Sequence, residues 1–171
     1  MSYQTHKNKL DHVSCLVITV SDTRTVENDR SGQLMVSLLK KAGHTIYDKK
    51  IIPDEQEAIQ QAIETGCQNS EIEVILTNGG TGVAKRDVTI ETMRPLLDKE
   101  IPGFGELFRW LSYREDIGTG AIMSRAAAGV RDVTTIFSLP GSTGAVRLGM
   151  ERLILPEITH IVYEAKKHLL N

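Results

Sequence analysis

The sequence predicts an α/β fold in three layers, a mostly parallel central sheet with helices on both faces. Two observations predict it. Short apolar runs rich in β-branched residues alternate along the chain with longer segments whose apolar residues recur at helical spacing. Strands that alternate with helices pair in parallel through right-handed crossovers. The first strand-like run, Val13 to Val20, is also continuous rather than alternating, as strands buried on both faces are.

VSCLVITV (Val13 to Val20) reads as the first strand. SGQLMVSLLKKAG follows as a helix, with Leu34, Leu38, Leu39 and Ala42 on one face and Gly43 as its stop. TIYDKKII is the second strand. DEQEAIQQAIETG is the second helix, with Ala58, Ile59, Ala62 and Ile63 inward and Gly66 at its end. EVILTN is a third strand that runs into a glycine loop. TIETMRPLLD begins as a helix that Pro95 limits or kinks. GFGELFRWLSYRE is another helix, with Phe104, Phe108 and Leu111 on one face and Trp110 off that stripe. The glycine and alanine of GTGAIMSRAAAGV give that stretch no period. TTIFSLPG is a strand ending in a tight turn, TGAVRLGMERLI a helix, and a last helix carries Ile158, Ile161, Val162, Ala165 and Leu169.

A chain of 171 residues without repeats or a low-complexity linker fits one domain over residues 13–171, preceded by a polar, flexible tail over residues 1–12. A net charge of −2 argues against a general nucleic-acid binder. No apolar run reaches the ~20 residues of a membrane span, and the N-terminal stretch lacks the apolar centre of a signal peptide, which points to a cytoplasmic protein. Cys15, in an apolar run, and Cys67, in an expected loop, have neither metal-type nor disulfide spacing. The five histidines are scattered and receive no role.

In open α/β sheets, ligands bind beyond the carboxyl ends of the strands. Four such ends are polar or tightly turned: Ser21-Asp22-Thr23, Pro53-Asp54-Glu55, the stretch from Asn78 through Gly79, Gly80, Thr81 and Gly82, and Pro140-Gly141-Ser142. Glycines let backbone N–H groups approach an oxyanion closely, although a plain strand-to-helix turn uses the same residues. Pro-Gly-Ser is a turn with Ser142 or Thr143 as an ordinary N-cap, or a phosphate-binding helix start. Asp54 stands three residues before Glu57, a variant capping box that would by itself justify it, so capping and metal binding stay open as alternatives for this residue. Asp87 is not needed as a cap, because Thr89 is better placed. A carboxylate beside an anion-binding loop repels the anion unless a cation stands between them, and Mg²⁺ binds through one or two carboxylates plus phosphates. Asp87, with Asp54, is therefore a candidate magnesium site, and Lys85 and Arg86 are candidate phosphate partners.

VSD after the first strand, IIPDE, LTNGGTGVAKRDVT, IPGFGE, IGTGAIMSRAAAGV and LPGS occur in this order. Over about Val13 to Leu155 the series resembles the molybdopterin-binding MoaB/MogA family, and SYREDIGTGAIMSRAAAGV is most similar to its MoaB branch. The resemblance implies the molybdopterin-binding-domain type of α/β fold and a trimer, or a hexamer made of trimers. It also implies Mg²⁺- and ATP-dependent adenylylation of molybdopterin with release of pyrophosphate, the product passing to a molybdate-inserting enzyme. The alternative it leaves is a molybdopterin-binding carrier without chemistry. By motif, Asp54 and Asp87 match the two aspartates tied to catalysis, and Gly79, Gly80, Thr81 and Gly82 the phosphate loop. Arg86 belongs to the retained RDVT segment, and Ser21, Asp22, Ser124, Gly141 and Ser142 match the pterin and nucleotide pocket. Asn78 stands where many members have Thr, and Gly144 near a frequent Lys.

Overall fold

The computed structural model describes residues 10–169. The part of the expected tail over residues 1–9 lies outside the described residues. Among these, six strands form one sheet in the order β2-β1-β3-β6-β5-β4. The strands are β1 (Ser14–Val20), β2 (Thr45–Ile52), β3 (Val74–Asn78), β4 (Lys99–Glu100), β5 (Ala127–Arg131) and β6 (Thr134–Leu139). β1 pairs in parallel with β2 and β3, and β3 with β6, while β5 and β4 complete the sheet antiparallel. The helices are α1 (Arg30–Lys41), α2 (Gln56–Gln68), α3 (Thr89–Met93), α4 (Pro102–Glu115), α5 (Thr143–Gly149) and α6 (Leu155–Lys166), with a π turn over Met150–Ile154 joining the last two.

The strand period of two divides the core. Cys15 and Val17 of β1 face a layer built with Met35 and Leu39 of α1, Phe108 of α4, Val146 of α5 and Ile158 of α6. Leu16, Ile18 and Val20 face Ile59 and Ile63 of α2 and Ile90 and Met93 of α3. Phe104 meets Phe137 of β6 edge-on, with ring centroids 5.3 Å apart. The chain leaves β1 for β2 on one side and returns to β3 on the other, so the carboxyl ends of β1 and β3 open a crevice where the winding reverses.

Several local expectations change. Gly43 ends α1 with φ +88°, but Ala42 is exposed and Met35 takes the inward position. Gly66 does not stop α2, which runs on to Gln68 and includes Cys67 rather than leaving it in a loop. A Cβ on Gly66 would stand 2.7 Å from Cδ1 of Ile75 and 3.0 Å from Cδ2 of Leu16, so this glycine serves close helix–sheet packing. Burial pushes the Cys15 thiol up to about 12 and the Cys67 thiol to about 11, so both are inert at neutral pH. The stretch without a period becomes a 3₁₀ segment, Gly118–Met123, followed by β5. Before Pro95, α3 ends at Met93 and a 3₁₀ turn takes over. Leu169 is exposed rather than inward.

Candidate active site

The ends of β1, β2, β3 and β6 open onto one cleft of about 500 Å³. Ser21, Asp54, Gly79, Gly80, Thr81, Gly82, Asp87, Ser124 and Gly141 all line it. Ile117 and Met123, from the segment after α4, add an apolar wall. Three expected residues stand just outside. Ser142 caps α5, its hydroxyl accepting from Ala145 N–H at 3.1 Å, and borders an adjoining hollow with Arg24 and Arg30. Arg86 lies in another hollow beside Asp54, Glu55 and Lys85. Asp22 faces Arg86, whose Nε and Nη2 donate to its two carboxylate oxygens at 2.8 and 3.0 Å.

The glycine loop is built with one polarity. Gly79 and Gly80 take φ +97° and +62°, a region that favours glycine. Thr89 Oγ donates to Gly79 O at 2.9 Å, and Thr89 N–H donates to Gly80 O at 2.9 Å. Arg125 Nε donates to Thr81 O at 2.8 Å, and its Nη2 donates to Gly82 O at 2.7 Å. All four carbonyls are therefore engaged. Across a trans peptide the following N–H points the opposite way, and among the described residues the amides of Gly80, Thr81, Gly82 and Val83 have no protein acceptor. Four successive amides without a protein acceptor, three of them on residues that line the cleft, are available to an anion.

Thr89 thus binds the loop instead of capping α3, whose N-cap is Val88 without a side-chain bond. Asp54 does not cap α2 either. The helix starts after Glu55, again without a side-chain bond, while Oδ2 of Asp54 accepts from Asp22 N–H at 3.1 Å. The local capping pattern loses to a partner at the end of the neighbouring strand. Oδ1 of Asp54 lies 2.7 Å from where a Cβ on Gly80 would be, and Oδ2 of Asp87 lies 2.7 Å from the same point on Gly82. Both carboxylates therefore flank the loop. Burial raises the Asp54 carboxyl above its ordinary range; the amide of Asp22 lowers it in part, and the charges of Asp22 and Asp87 raise it further. The hydrogen bonds from Arg86 hold the Asp22 carboxyl below that range. Asp87 Oδ2 accepts from Ala84 N–H at 3.0 Å. Among the described residues no group of three or more His, Cys, Asp or Glu side chains makes a metal cage. A pair of carboxylates beside a loop whose amides lack protein acceptors could hold Mg²⁺ together with an anionic ligand and water.

Sequence reasoning named Asn78 at the strand end but missed the buried network that holds it at the floor of the cleft. Asn78 is buried: its Oδ1 accepts from Ser31 Oγ at 2.9 Å and its Nδ2 donates to Thr19 Oγ at 3.1 Å. Thr19 in turn donates to buried Asp29 at 2.8 Å, and Asp29 caps α1 at Gly32 N–H and pairs with Lys49 at 2.5 Å. The Asp immediately before a helical period was a legible cap signal. Arg125 and its partner Glu91 had no local signature.

With this geometry in place, comparison with known proteins is decisive about ancestry. Residues 16–160 match the family described as "Probable molybdopterin binding domain". The chain belongs to this family. It is 56% identical to Molybdenum cofactor biosynthesis protein B of Bacillus subtilis (strain 168), over 168 residues that make up 98% of this chain and 99% of the relative. A crystal structure of Molybdenum cofactor biosynthesis protein B superposes with a TM-score of 0.90 at 55% identity, covering 91% of this chain and 97% of that one. The tungsten cofactor synthesizing protein MoaB from Pyrococcus furiosus gives 0.82 at 38% identity, covering 91% and 98%. The family expected from the six motifs is thus the family found, and its fold is shared. Among the described residues no helix is long and apolar enough to cross a membrane.

Proposed function

We propose that this molybdopterin-binding-domain protein adenylylates molybdopterin with ATP and Mg²⁺ during molybdenum cofactor biosynthesis, in the cytoplasm. The observation that carries the reading is the glycine loop, with four amides that lack a protein acceptor, between two carboxylates, Asp54 and Asp87. The names of the relatives support the pathway. In the reaction, an oxygen of the molybdopterin phosphate bonds to the α-phosphorus of ATP, the bond from that phosphorus to the β-bridging oxygen breaks, and pyrophosphate leaves with the electron pair. Asp54 and Asp87 would hold the Mg²⁺, which supplies charge neutralisation between the two anionic substrates. The loop amides receive phosphoryl oxygens, and the Ile117–Met123 wall excludes water from a flat heterocycle. Catalysis is then positioning and electrostatic stabilisation, without a protein nucleophile.

One observation favours a second reading, a carrier that binds molybdopterin without chemistry. Arg86 is held by Asp22 and brings no cation to the loop. Single-turnover incubation with molybdopterin, Mg²⁺ and α-labelled ATP separates the two. Labelled molybdopterin-AMP from wild type, reduced about 10²–10³-fold in Asp87→Asn, is the expected result. Tight molybdopterin binding with no product from either protein leaves the carrier.

The working form is a homo-oligomer, a trimer or a hexamer, that hands its product to a molybdate-inserting enzyme. On α4, Leu107, Trp110 and Tyr113 are each more than half exposed and would be covered in such an assembly. Light scattering of wild type against Trp110→Glu tests it: a wild-type mass equal to one chain rejects the oligomer.

A further inference from the structure

We infer that Arg125 is a positioning residue whose guanidinium fork sets the polarity of the anion-binding loop. The inference depends on the proposed reaction only for the identity of the anion. Arg125 reaches two consecutive loop carbonyls, Thr81 O at 2.8 Å and Gly82 O at 2.7 Å. Its neighbour Ser124 lines the cleft while Arg125 does not. The other edge of the fork is held by Glu91 of α3: Nη2 donates to one carboxylate oxygen at 3.1 Å and Nη1 to the other. The side chain is therefore fixed at both ends.

Two consequences follow for the loop. Peptide planarity turns the amides of Gly82 and Val83 away from Arg125, as Thr89 turns those of Gly80 and Thr81. Each carbonyl that accepts from a cation also polarises its own peptide, which strengthens the opposite N–H as a donor. Without Arg125, the peptide units after Thr81 and Gly82 lose the partners that keep their oxygens out of the site, and a flipped unit would present an oxygen to an anion. A lysine cannot replace the fork, because a point donor cannot hold two carbonyls and a carboxylate in one plane.

Inorganic pyrophosphate is a suitable probe, followed by amide shifts of residues 80–83 in ¹⁵N-labelled full-length protein. Wild type is expected to show saturable shifts. Arg125→Ala should bind pyrophosphate about tenfold or more weakly, and millimolar guanidinium should recover much of the loss. Arg125→Lys should recover less than guanidinium does, and Glu91→Gln should give an intermediate loss. Recovery by guanidinium distinguishes positioning from a folding defect. Equal affinity in wild type and Arg125→Ala, or full recovery in Arg125→Lys, would overturn the inference. Wild-type amides that ignore pyrophosphate would remove both the clamp and the phosphate-loop reading. Arg125-dependent binding in a protein that forms no molybdopterin-AMP would leave the clamp and reject the reaction.

Discussion

Asp22 and Asp54 exchange hydrogen bonds in both directions: Asp22 N–H donates to Asp54 Oδ2 at 3.1 Å, and Asp54 N–H donates to Asp22 Oδ1 at 3.1 Å. The ring joins the ends of β1 and β2 and brings two carboxylates together. Arg86 neutralises Asp22 but lies outside the cleft. Asp54 is left beside Gly80, with the charge of Asp87 also acting on it. The fold thus concentrates negative charge beside the glycine loop, the arrangement on which the proposed divalent cation rests.

That conflict predicts a stability gain. The folded-state pKa of Asp54 is raised, by burial first and by Asp22 and Asp87 next. For a raised carboxyl, the associated stability is full below the unfolded value of about 3.9 and is lost as pH rises through the folded value. Asp54→Asn removes the loss and keeps an acceptor for Asp22 N–H. Its melting temperature at pH 7 without Mg²⁺ should exceed wild type by a few degrees, with the gap closing near pH 4. Adenylylation should fall to background. Scanning calorimetry across pH checks the sign, and a variant melting below wild type at pH 7 would count against it.

Two glycines with positive φ separate backbone cost from site cost. A Cβ on Gly80 would meet Thr89 Oγ at 2.4 Å and Asp54 Oδ1 at 2.7 Å. A Cβ on Gly43, at φ +88°, would meet nothing within 4 Å. Gly43→Ala should cost about 1 kcal/mol from the left-handed backbone alone and leave activity intact. Gly80→Ala should cost about 2–3 kcal/mol and abolish activity, because Thr89 must leave Gly79 O. Paired melts and turnover assays compare them.

The layered fold was legible because period and composition agree from β1 through α2, and the strand ends announced themselves through Gly, Pro and Asp. Asp54 was legible as a site residue, but the sequence left a helix cap open as its role, because Asp54-x-x-Glu57 is a local pattern while its partner, the amide of Asp22, is 32 residues away. β5 was hidden by small residues such as Ala127, Ala128 and Gly129, whose strand conformation comes from pairing with β6 rather than from propensity. Arg125 was hidden because a lone arginine carries no spacing signal, and only the tertiary approach of the glycine loop reveals what it binds.

The Asp29–Lys49 pair offers a prediction that runs from β2 to the cleft floor. Asp29 is fully buried; burial pulls its carboxyl up, but hydrogen bonds from Lys49, Gly32 N–H and Thr19, with the Lys49 charge, hold it below the ordinary range. A lowered carboxyl contributes stability that is present above the unfolded pKa and lost as pH falls through the folded one. Lys49→Met leaves that carboxylate without its cation and should cost about 2–3 kcal/mol at pH 7, somewhat below the figure for a fully buried pair because Lys49 is partly exposed. Wild type and variant should converge as pH drops below about 4. The loss should also reach the site. Asp29 fixes Thr19, which accepts from Asn78 at the foot of the glycine loop. Lys49→Met is therefore expected to reduce turnover although its side chain lies outside the cleft lining. Urea titrations at pH 7 and at a series of values below pH 4, with turnover measured at pH 7, test both halves. An undiminished stability at pH 7 would mean that the donors from Gly32 and Thr19 suffice to hold the buried charge.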